Sequence, residues 1–160
     1  MKSFFKVISI IFVFFNHSII VDNDIYFSNG YNYSDKYLVL KIPSINFIRN
    51  IYYEDKVINN VDYNVMLVKE SDVLKKRFIF TGHSGYGDNA YFNDLALLHI
   101  GDIIYVDINQ ERLFYEVVYI YFIFKDGSMD ISDEDNMVYL VTCSLVYSGM
   151  QLVIVARGVV

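Results

Sequence analysis

Hydrophobic positions along this chain fall into two regimes. Val7 to Phe15 is unbroken apolar sequence; Asn16-His17-Ser18 interrupts it before Ile19 to Val21, and a polar stretch from Asp22 to Tyr33 follows. From about Lys36 onward the pattern changes to short apolar runs punctuated by polar turns, which is how short strands read. The runs predict strands over Tyr37 to Ile42, Asn64 to Val68, Arg77 to Phe80, Asp102 to Ile108, Arg112 to Phe124, Met137 to Cys143 and Gln151 to Ala156. So many short strands in one domain suggest a barrel or a sandwich.

Phe92, Leu95 and Leu98 recur every three residues and predict a short helix ending at Gly101. Asn109-Gln110-Glu111 breaks two apolar runs and reads as a hairpin. Lys125 to Asn136, with Asp126, Asp130, Asp133, Glu134 and Asp135, reads as a solvated acidic loop; it lacks the fixed ligand spacing of a calcium site.

The N-terminal run reads as a targeting segment with Lys2 and Lys6 at its start. As a helix, residues 7 to 21 would reach about 22 Å at ~1.5 Å per residue, short of a ~30 Å hydrocarbon core unless Phe4, Phe5 and a snorkelling Lys6 extend it. No small-x-small cleavage site follows, which favours an uncleaved anchor with its positive end inside over a cleaved signal peptide. The division expected is therefore 1–23 signal or membrane anchor, 24–35 linker and 36–160 a single folded domain, with none of the anchor in the fold.

Composition supports strands over helices: 54% of residues are apolar, with Ile, Val, Tyr and Phe prominent, the types that suit a pleated surface. Net charge is −6 and the basic residues are scattered, so the chain has no stripe with which to neutralise a phosphate backbone, and nucleic acid is excluded as a partner. With one cysteine no intrachain disulfide can form.

That cysteine, Cys143, ends a predicted strand beside the small and flexible Ser144, Ser148 and Gly149. A free Cys is more often core than reactive, and the residues alone favour the core. If it reacts, it needs a neighbouring base or cation. Of the three histidines, His17 lies in the N-terminal run and His99 closes the predicted helix; only His83, in Thr81-Gly82-His83-Ser84-Gly85, shares the strand-end, Gly-flanked setting of Cys143. Spacing alone does not say that the two meet.

Taken together, several motifs resemble the sortases. Thr81-Gly82-His83-Ser84-Gly85, followed by Phe92-x-x-Leu95-x-x-Leu98-x-x-Gly101-Asp102-x-Ile104, is similar to the sortase His loop and the turn into the next strand. Leu140-Val141-Thr142-Cys143 and Leu152-Val153-Ile154-Val155-Ala156 resemble the nucleophile strand and the terminal strand, and Lys41-Ile42-Pro43-Ser44-Ile45-Asn46 the opening Ile-Pro strand. The resemblance implies an all-β fold, a closed eight-stranded barrel with one or two short helices. It also implies a cysteine transpeptidase of the bacterial cell membrane, single-pass, with its catalytic domain outside. Cys143 would attack a Leu-Pro-x-Thr-Gly-like sorting signal of a secreted protein to form a thioester, with His83 as acid and then base. An amine from a cell-wall precursor or a pilin lysine would release it. Neither cofactor nor metal is expected.

One position departs from the family. The third catalytic residue of sortases is an Arg at the start of the terminal strand, and Gln151 occupies that place. Gln donates hydrogen bonds but brings no charge. Arg157 and Arg77 are each displaced by about 20 Å along their strands from the expected site. The alternatives are thus a peptide-binding barrel impaired by Gln151, and a structural or adhesive barrel with Cys143 in its core.

Overall fold

The computed structural model describes residues 37–53, 57–126 and 128–159, together with the backbone of Lys6–Ser9. Ten strands form in order: β1 (Lys6–Ser9), β2 (Leu38–Ile42), β3 (Phe47–Ile51), β4 (Met66–Leu67), β5 (Phe78–Thr81), β6 (Ile103–Ile108), β7 (Glu111–Phe124), β8 (Ser128–Ile131), β9 (Met137–Cys143) and β10 (Met150–Gly158). Eight make one sheet in the order β3-β2-β6-β7-β10-β9-β5-β4, antiparallel throughout except for the parallel pair β5–β9.

The eight-stranded, all-β expectation holds, but the barrel is nearly closed rather than closed, because β3 and β4 are edges that do not pair. With only two residues, β4 is too short to complete the ladder. The segment before it spans the gap instead: Asn64 Nδ2 donates to the Asn50 carbonyl on β3 at 2.7 Å, and the Asn59 side chain both donates to and accepts from the Leu67 backbone.

Side-chain alternation explains the continuous apolar runs. Even-numbered residues of the central strands, among them Phe78, Phe80, Val138, Leu140, Leu152 and Ile154, fill the barrel with Tyr115 and Phe92. Their odd-numbered neighbours Ile79, Tyr139, Val141, Val153 and Val155 form a second core outside it, under Met129 and Ile131 of β8. Strands buried on both faces read as unbroken hydrophobic sequence. The 125–136 stretch is therefore not simply a loop: within it Ser128–Ile131 alternates Met129 and Ile131 inward with Asp130 outward.

β8 pairs with β1 in a separate two-stranded sheet, Lys6 opposite Ile131 and Ser9 opposite Ser128. This draws four residues of the N-terminal run into the fold, where the sequence reading left all of it out; among the described residues β8 has no other strand partner, and an unpaired edge takes up a strand within reach. The rest of the segments expected as anchor (1–23) and linker (24–35) lies outside the described residues. Among the described residues no helix is long and apolar enough to cross a membrane.

The expected helix is a 3₁₀ segment, Asn93–Leu97, with Leu95 buried within it and Phe92 and Leu98 buried at its two ends. A spacing of three matches the three residues per turn of a 3₁₀ helix better than an α-helix. A second 3₁₀ turn, Pro43–Ile45, joins β2 to β3 through left-handed Asn46. Asn109 and Gln110, both at positive φ, form the β6–β7 hairpin as expected.

Candidate active site

Three neighbouring strands bring the predicted site residues to one level. Gln151 on β10 pairs directly with Cys143 on β9. On the other side of β9, parallel β5 runs in register from Phe78 opposite Val138 to Thr81 opposite Val141. Two more residues at that register bring His83 level with Cys143. Polar contacts carry the two chains together past the end of the ladder: Gly82 N donates to the Val141 carbonyl at 3.3 Å, Thr142 Oγ1 to the Gly82 carbonyl at 2.8 Å and Ser84 Oγ to the Cys143 carbonyl at 2.5 Å.

Cys143 continues the odd-numbered, outward register of Tyr139 and Val141, but lies beyond the cover of β8. It is half-buried, whereas Thr142 beside it is buried. The reading of Cys143 as a core residue is thus not what the structure gives.

The His83 loop is held from two sides. Asn93 closes it with a reciprocal pair, Gly85 N to Asn93 Oδ1 at 2.7 Å and Asn93 Nδ2 to the Gly85 carbonyl at 3.1 Å, while Phe92 N donates to the His83 carbonyl at 2.9 Å. Gly85 and Gly87 turn at φ of +115° and +120°, where a side chain is strained. Gly82 is needed for closeness: a Cβ there would sit 3.0 Å from the Phe92 ring and 3.3 Å from Val65. His83 Nε2 meets Asp62 Oδ1 at 3.4 Å. Asp62 stands on the β3–β4 connection in a turn whose Asn60 Oδ1 accepts from Asp62 N. Its part in the site had no signal in sequence.

Lys125, the residue after β7, has its Nζ 3.4 Å from Cys143 Sγ. Its backbone N–H extends the β7–β10 ladder by donating to the Gly149 carbonyl at 2.9 Å. The sequence reading took it only as the start of the acidic loop. Gln151, 1% exposed, has an Nε2 with no hydrogen-bond partner among the described residues.

Each of the four arginines is engaged with a partner other than Cys143. Arg49 stacks on Tyr91, 3.7 Å from the ring centroid; Arg77 reaches Asp133 at 3.3 Å and Arg157 reaches Glu134 at 3.1 Å. Arg112 grips Asp107 with two bonds of 2.7 and 2.9 Å. Those bonds, with help from Lys41, hold the Asp107 carboxyl down at about 2 against the opposing effect of burial. An open depression of about 710 Å³ lies beside that pair, lined by Tyr37, Gln110 and Arg112, at the opposite end of β7 from Lys125.

A thiol, an imidazole and an amide donor thus gather at one end of neighbouring strands of a nearly closed barrel, the residue types that thiol acyl transfer uses. Residues 40–159 match the family model described as "Sortase domain", and the chain belongs to the sortase family. Among solved structures, sortase A of Corynebacterium diphtheriae (lid mutant) aligns with a TM-score of 0.64 and 23% identity, covering 78% of this chain and 70% of that one. Sortase C-1 of Actinomyces oris aligns at 0.62 and 24%, covering 77% and 73%. Clostridium perfringens sortase C, solved with the C-terminal cell wall sorting motif, aligns at 0.60 and 25%, covering 76% and 69%. No curated protein sequence matches the chain.

Proposed function

We propose that this protein is a cysteine transpeptidase that cuts a Leu-Pro-x-Thr-Gly-like sorting signal and passes the acyl group to an amine of a cell-wall precursor or a pilin lysine. The observation that carries this reading is that Gln151 on β10 pairs with Cys143 on β9, and that the His83 loop, which continues from β5, is bonded to the same end of β9 through Gly82 and Ser84. In the first half-reaction the Cys143 thiolate forms an S–C bond to the scissile carbonyl carbon. The oxyanion then collapses, the C–N bond breaks and His83 gives its proton to the departing amine. In the second, the acceptor amine forms an N–C bond, the S–C bond breaks and the amine proton passes to His83.

Gln151 serves the oxyanion as a hydrogen-bond donor. Its unpartnered Nε2 supports this, since a buried donor without an acceptor costs stability and tends to persist where a function uses it. Because that atom is covered, the side chains over it must part when peptide enters. Losing one such donor costs about 10²-fold or more in kcat. The test is cleavage of a sorting-signal peptide with an added amine acceptor: Gln151→Leu should lose about 10²-fold in kcat, and an unchanged kcat would remove Gln151 from the mechanism.

The N-terminal apolar run, on the reading given above, tethers the protein to the outer side of a bacterial cell membrane; a run inserted in the bilayer cannot also hold Lys6–Ser9 against β8, so tethering requires the β1–β8 pair to open. Fractionation of cells expressing the full chain should then leave it in the membrane pellet after a high-salt wash; recovery in the wash or the medium would contradict tethering.

A further inference from the structure

We propose that Lys125 is a catalytic residue of this site, supplying through its ammonium the positive charge that Gln151 lacks. The inference rests on the transpeptidase reading above and adds a residue to it. Three observations carry it. Lys125 Nζ touches the reacting atom itself, 3.4 Å from Cys143 Sγ. Its backbone is fixed by the bond to Gly149 that prolongs the ladder, so the side chain starts from a defined place two strands from Cys143. The arginines, the other candidate cations for an oxyanion, are engaged with Tyr91, Asp133, Asp107 and Glu134.

Exposure separates the roles of the two neighbours of Cys143. Gln151 is buried, while Lys125 and Cys143 are both half-buried, so the ammonium already borders the space a peptide would enter, and the amide reaches it only once the side chains over Gln151 part. A charge there acts twice. It opposes the negative charge that develops on the carbonyl oxygen beside Sγ, and it stabilises the sulfur as it leaves when the acceptor amine breaks the thioester.

A charge probe that needs no peptide decides the matter. Cys143 is the only thiol, so alkylation of the full chain reports it alone. Rates with anionic iodoacetate and neutral iodoacetamide are compared at one pH and low salt, which cancels the reactivity of the sulfur and leaves its surroundings. A unit charge at about 4 Å is worth about fivefold even at the dielectric of water. The iodoacetate-to-iodoacetamide ratio should therefore fall about fivefold in Lys125→Met, stay near wild type in Lys125→Arg, and fall with added salt in the wild type. A ratio unchanged in Lys125→Met, or insensitive to salt in the wild type if that variant does not fold, overturns the proposal. In peptide turnover, Lys125→Met should lower kcat and leave KM. If no form turns over peptide, it is the transpeptidase reading that fails, and the alkylation ratio still decides whether Lys125 acts on Cys143.

Discussion

Cys143→Ala should abolish both cleavage and transfer of a sorting-signal peptide, to the level of buffer, while the protein stays folded. Every covalent step proposed above runs through Sγ, and alanine has no atom that can form the S–C bond. The fold should tolerate the change because Cys143 is half-buried at the end of β9, and its side chain closes no cavity in either core. A stability change below about 1 kcal/mol in urea denaturation is expected. Residual turnover above buffer in the alanine variant would show that the peptide bond is broken elsewhere.

The second large effect is at His83. His83→Ala should lower kcat by about 10²- to 10⁴-fold, the range that one positioned acid or base supplies. Alkylation of Cys143 by iodoacetamide should persist, because Lys125 remains beside the sulfur. The backbone of the His loop should hold its place, since Asn93, Phe92 and Ser84 secure it without using the imidazole. A His83→Ala variant within tenfold of wild type would assign the proton transfers to another group.

Much of the fold was legible because β5, β9 and β10 are buried on both faces and so appear as unbroken apolar runs. β3 escaped notice: Phe47-Ile48-Arg49-Asn50-Ile51 is an edge strand with polar residues in its middle, and it begins straight after the left-handed turn at Asn46. In β8 the period-two pattern Ser128-Met129-Asp130-Ile131 was present but hidden among the acidic residues around it. The spacing of Phe92, Leu95 and Leu98 pointed to a helix in the right place, but it is a 3₁₀ segment that ends at Leu97 rather than running to Gly101.

At the site, Cys143 and His83 could be singled out because one ends a strand, the other follows one closely, and both sit beside small residues. What brings them level is the parallel register of β5 and β9, which local sequence does not encode. Lys125 and Asp62 were invisible for the same reason. Lys125 meets Cys143 only because β10 lies between β7 and β9, and Asp62 meets His83 only because the β3–β4 connection spans the open side of the barrel. Gln151 was found by counting back from Ala156, and the pairing of Gln151 with Cys143 gives that count a geometry.

The central claim is that Cys143 carries the acyl group. Intact-mass spectrometry of the full chain, incubated with a pool of sorting-signal peptides and no acceptor amine, tests it most directly, with Cys143→Ala as the control. The account predicts a mass gain equal to the acyl fragment of one peptide, lost on adding hydroxylamine and absent from the control. A folded wild-type protein with an alkylatable thiol that gains no mass with any peptide, or a gain that persists in Cys143→Ala, would contradict it.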